Sequence, residues 1–134
     1  MKSLFLILTT VLTLNHVQSQ NVANYILELE SNTKWDAVEA TWAPLRNAWV
    51  AESKKRNTAQ TTAGLLLSFE SNLKWTSVEE SWKTNRDKWV ANCEKATSNA
   101  QVAGLLIELE SYIKWTAVDE KWKTRRDAWI KELK

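Results

Sequence analysis

Apolar residues late in the chain fall at Val102, Leu105, Leu106, Leu109 and Ile113. Their spacing, i, i+3, i+4, i+7 and i+11, lines one face of an α-helix. Alternation along LLLSFE at 65–70 also permits a strand, but only the helical template accounts for Leu73 and Ile113 as well. Upstream, Ser98-x-x-Gln101 has the form of a capping box, which starts a helix. Laying residue i over i+40 aligns the chain from residue 21 without a gap, as copies 21–60, 61–100 and a truncated 101–134. A fixed period of that length without a glycine or proline framework describes repeated helical pairs.

A second periodic element follows in each copy. Its tryptophans stand seven apart, as Trp35, Trp42 and Trp49, then Trp75, Trp82 and Trp89, then Trp115, Trp122 and Trp129. Two helical turns take about 7.2 residues, so this spacing predicts an aromatic stripe. Val38, Val78 and Val118 extend the stripe toward the helix start, and Thr76-x-x-Glu79 offers a second capping box, with Asp36 and Glu39 or Thr116 and Asp119 in the equivalent places. The pattern therefore predicts an all-α fold of six helices, a hairpin per copy, in one compact domain or short solenoid. The first helices are expected near 21–32, 59–72 and 99–112, and the second near 37–53, 77–95 and 117–133. The rival arrangement is one long bent helix per copy, giving a three-helix bundle. Pro44 is expected to kink the first copy's second helix, and Asn24, where the other copies have Gly64 and Gly104, marks a terminal copy that has drifted. The truncated third copy leaves one face without a successor, which would suit pairing with a second chain.

Composition adds a compartment. Residues 1–19 carry Lys2, an apolar stretch from Leu4 to Leu14, and Val17 and Ser19 at the positions that signal peptidase reads. This is the order of a signal peptide, cut after Ser19, and the stretch is too short for a membrane anchor of about 20 residues. Residues 20–134 then form a single domain, secreted and extracellular. Lys and Arg total 18 against 16 Asp and Glu, a balance that argues against nucleic acid as a partner and against a lytic cationic peptide. The basic run KWKTRR at 121–126 is flanked by Asp119, Glu120 and Asp127 and reads as a solvated face. Cys93 is the one cysteine, so no internal disulfide is expected. It is read as a small semi-buried side chain rather than an interchain link.

Catalytic chemistry is limited by what the chain lacks. His16 is the one histidine and lies in the leader, which leaves no imidazole for a Ser-His-Asp or Cys-His site or a histidine-ligated metal. Carboxylates such as Glu79 with Glu80 or Asp119 with Glu120 are adjacent on the expected helix and do not converge. Gly64 and Gly104 form no phosphate loop. The chain is therefore expected to be non-enzymatic, with no cofactor and no metal site.

The candidate binding unit is the combination of Arg46, Arg86 and Arg126 with the tryptophans on either side: Trp42 and Trp49, Trp82 and Trp89, Trp122 and Trp129. Each arginine is expected to stack between two indoles, its charge answered by Glu39, Glu79 or Asp119, either as core or as a groove for a sugar, a lipid or a partner protein. Lys34, Lys74 and Lys114 and the Glu-Ser pairs at 30–31, 70–71 and 110–111 are expected to satisfy helix ends. The expected function is a binding or interaction component of a body fluid, of a defence, salivary or reproductive kind. The alternative is a membrane-active host-defence effector working through tryptophan-rich amphipathic helices.

Overall fold

The computed structural model of the chain describes residues 22–134. The expected leader, its cleavage after Ser19 and the first mature residues lie outside them. The described residues are all-helical, with two α-helices per copy and no β-strand. Helix α1 spans 22–31, α2 Trp42–Ser53, α3 Ala59–Ser71, α4 Trp82–Lys95, α5 Asn99–Tyr112 and α6 Glu120–Leu133. Between the helices of each copy lies a short 3-10 turn: η1 Trp35–Ala37, η2 Trp75–Ser77 and η3 Trp115–Ala117.

The first helices form as the pattern predicts. Ser98 and Gln101 make a reciprocal capping box at α5, and Thr58 and Thr61 make its equivalent at α3. Val102, Leu105, Leu106 and Leu109 are buried along α5, as are Leu65, Leu66 and Phe69 along α3.

The second helices start later than expected, at 42, 82 and 120. The boxes expected at Asp36 and Glu39, Thr76 and Glu79, and Thr116 and Asp119 do not form, because a contact between copies claims this stretch of backbone. Val38, Val78 and Val118 are extended and pair in isolated antiparallel bridges with Leu73, Ile113 and Thr33. Glu39 N–H donates to Asn72 O at 2.7 Å, Glu79 N–H to Tyr112 O at 2.8 Å, and Asp119 N–H to Asn32 O at 2.8 Å. The later start also explains why Pro44 need not kink its helix. It falls in the first turn of α2, where a backbone N–H has no intrahelical acceptor to lose.

These bonds run in a circle. Lys74 N–H donates to Ala37 O, Lys114 N–H to Ser77 O, and Lys34 N–H back to Ala117 O, at 3.0, 2.9 and 2.9 Å. The last tryptophan of each copy repeats the rule. Trp49 Nε1 donates to Leu65 O, Trp89 Nε1 to Leu105 O, and Trp129 Nε1 to Tyr25 O. Copy one docks on copy two, two on three, and three on one. The third copy's face, which the sequence leaves without a successor, is covered by α1. This closing seam has no covalent connection between adjacent copies and carries an ion-pair network of its own. Arg125 bonds both Glu28 and Glu132, and Tyr25 OH donates to Glu132 at 2.7 Å. At the equivalent of Arg125 the other seams have Leu45 and Asn85.

Candidate functional site

Each hairpin is clamped by a buried carboxylate. Glu30, Glu70 and Glu110 are about 95% buried. Each accepts from the first helical tryptophan of its copy, Trp42, Trp82 or Trp122, at 2.9–3.0 Å, and from Arg46, Arg86 or Arg126 at 2.7–2.9 Å. The hydrogen bond to its glutamate raises the affinity of Arg46 and Arg86 for their protons beyond the ordinary arginine value, against the opposing effect of burial. A buried carboxylate is tolerable only when its lone pairs are filled in this way. Glu39, Glu79 and Asp119 do not answer the arginine charge as expected. They precede the helix rather than lying on it, so the seven-residue spacing to arginine does not bring them together.

The predicted binding residues separate in the structure. Trp42, Trp49, Trp82, Trp89, Trp122 and Trp129 are all core, and the two indoles of each copy meet edge to face at 5.1–5.2 Å. Arginine is not sandwiched between them. Arg46, Arg86 and Arg126 remain 26–30% exposed at the rim, bonded to the glutamates. Ser31, Ser71 and Ser111 bond back to the carbonyls of residues 28, 68 and 108, the helix-end role expected of them. Cys93 is free and buried, and burial pushes its thiol up to about 12, so it is neither thiolate nor accessible for an interchain bond.

Trp35, Trp75 and Trp115 differ from the other six. They open the 3-10 turns and are 63%, 51% and 48% exposed. Because the turns are bonded to one another through the backbone circle, the three indoles share one end of the molecule. Beside Trp75 lies a cleft of about 280 Å³, walled by Arg86, Glu70 and, from the preceding copy, Glu39. Beside Trp35 the matching cleft is about 350 Å³, walled by Arg46, Glu30, Lys34 and, from the third copy, Asp119. In the third copy Arg126 lies over the Trp115 ring, 5.8 Å from its centroid. Among the described residues the carboxylates of Glu39, Glu79 and Asp119 make no hydrogen bond or ion pair within the protein. The Trp75 and Trp35 clefts thus each offer an aromatic face and a carboxylate contributed by a neighbouring copy.

Sequence reasoning did not single out these three tryptophans, because the seven-residue spacing carries on through the turn. The available signal was the valine three residues after each, flanked by Lys-Trp on one side and glutamate or aspartate on the other, a pattern with no helical face. No family model, no curated protein and no solved structure matches the chain.

Proposed function

We propose that this chain is a secreted, non-enzymatic extracellular binding protein, a body-fluid component of the defence, salivary or reproductive kind, which meets its ligand through the end of the molecule that carries Trp35, Trp75 and Trp115. One observation carries the reading. Six of nine tryptophans are core, while three at equivalent turns stand about half exposed. Exposed indoles grouped on one surface mark interaction sites, because they bring large contact area at small entropic cost. The order of residues 1–19 supports secretion.

Two observations favour this over the membrane-active alternative. The helical tryptophans that an amphipathic effector would insert are buried. The exposed ones have both signs of charge beside them, Lys83, Lys123 and Arg126 over two of the rings and Lys34, Glu39 and Asp119 in the clefts, without the uniform cationic face that an anionic lipid surface would attract. No described helix is long and apolar enough to cross a membrane.

The test compares two variants by denaturant titration. Replacing Trp35, Trp75 and Trp115 together by Ala should cost about 1 kcal/mol or less per site, whereas Trp82→Ala alone should cost about 3–5 kcal/mol. A core-sized loss at each exposed site would make those indoles structural and remove the basis for the reading. Expression in a secretory host, followed by mass measurement of the chain in the medium, should give a start at Gln20, and retention of residues 1–19 inside the cell would overturn the secreted assignment.

A further inference from the structure

The three exposed indoles differ in what covers them. Lys83 Nζ lies 5.7 Å from the Trp75 ring centroid, and Lys123 Nζ lies 5.8 Å from that of Trp115. Each lysine is steadied by the glutamate three residues before it, Glu80 at 3.2 Å and Glu120 at 3.1 Å. In the first copy both places are alanine, Ala40 and Ala43, and neither can supply a cation. Exposure follows the number of cations above the ring: 48% for Trp115 with Lys123 and Arg126, 51% for Trp75 with Lys83, and 63% for Trp35, over which no cation lies among the described residues.

The charges around Trp35 differ in the same sense. Asp36 follows it, where Thr76 and Thr116 follow the other two. The rest of the charge set matches the Trp75 cleft: Asp119 borders the Trp35 cleft as Glu39 borders the other, and Glu30 takes up the Arg46 charge as Glu70 does that of Arg86. Lys34 is the one opposing charge that lines the cleft without an ion-pair partner among the described residues.

We propose that the open face of the Trp35 ring binds an alkylammonium group from outside the chain, a free organic amine or a lysine side chain of a partner, in the place over the ring that Lys83 and Lys123 take at the other two sites. The inference rests on the exposed indoles being contact points. An ammonium within about 6 Å of a ring centroid is held by the ring quadrupole, and Asp36, next to Trp35 in the chain, is a negative charge that the other two copies lack. Alanine in place of Glu80 and Lys83 leaves room along the helix for the ligand's alkyl chain, where a lysine stem would otherwise lie.

The test follows the indole N–H signals of the 15N-labelled mature chain by NMR during titration with butylammonium chloride, with sodium chloride as the ionic-strength control. A parallel titration uses N-acetyl-lysine methylamide. The Trp35 signal should move saturably, and those of Trp75 and Trp115 should not. Ala40→Glu with Ala43→Lys, which restores the pair the other copies carry, should weaken binding by roughly tenfold or more. Conversely, Lys83→Ala should make the Trp75 signal respond. Binding of either compound supports the site, and the tighter one identifies the source of the ammonium. No saturable shift, equal shifts of all three exposed indoles, or unchanged binding in the Ala40/Ala43 variant would overturn it. A flat titration beside a stable triple tryptophan variant removes the ammonium site alone and leaves the exposed indoles as contact points for another ligand.

Discussion

At the scale of single residues, the buried glutamate does most to hold each hairpin together. Glu70 accepts from both Trp82 and Arg86, so Glu70→Ala leaves an indole N–H without an acceptor in the core and a guanidinium without its partner. Breaking a buried pair costs about 3–5 kcal/mol, and the partial exposure of Arg86 recovers some of it, so a loss of about 2–4 kcal/mol is expected on denaturant titration. Glu79→Ala, at the position the seven-residue spacing singles out, should change stability by less than about 0.5 kcal/mol. Sequence alone shows that Glu30, Glu70 and Glu110 recur in every copy, as do Arg46, Arg86 and Arg126. It does not show that they meet, because the pairing spans two helices and depends on the angle of the hairpin. The aromatic stripe was legible from the spacing of the tryptophans, but whether six of them are core or groove was left open by it. The exposure of Trp35, Trp75 and Trp115 was not legible, since periodicity does not distinguish a helical position from a turn one helical period away.

At the scale of elements, the first helices were readable because their signals are local: a capping box at Ser98 and an apolar face from Val102 to Leu109. The start of each second helix was misplaced because the deciding interaction, a bridge such as Val38 with Leu73, lies in another copy. Two predictions belong at this scale. Gly104 sits on an exposed face inside α5, and an added Cβ meets nothing within 4 Å, so Gly104→Ala should raise stability by about 0.5–1 kcal/mol. A fall in the unfolding midpoint would show that the glycine is needed for a contact. The α1–α6 contact should also titrate. Glu132 is held below the usual carboxylate range, first by its hydrogen bonds from Arg125 and then by that from Tyr25. A lowered folded value means that this contribution is complete above the unfolded glutamate value of about 4.3 and is lost as pH falls through the folded one. Glu132→Gln should therefore flatten the acid side of the Tm profile while changing its neutral slope little. An acid limb identical to wild type would show that the contact adds nothing to the closing seam.

At the scale of the whole molecule, the sequence gives three copies and the structure gives their closure. Nothing in residues 101–134 announces that the last copy will meet the first, because a truncated repeat reads equally as an open end. The sign that closure leaves in the sequence is one charged residue without a counterpart, Arg125 where the other copies have Leu45 and Asn85, with Glu28 and Glu132 to receive it. The seam without a covalent connection is the one reinforced by ion pairs. Closure also places the three exposed indoles around one backbone circle, on which the binding reading depends. Amide hydrogen exchange at Lys34 and Asp119, whose N–H groups donate to Ala117 O and Asn32 O across the closing seam, tests the circle most directly. Both should be protected to the same degree as Glu39, Lys74, Glu79 and Lys114 at the other two seams. Exchange of Lys34 and Asp119 at the rate of an open loop, with the other four still protected, would mean an open chain of three hairpins and contradict the closed arrangement.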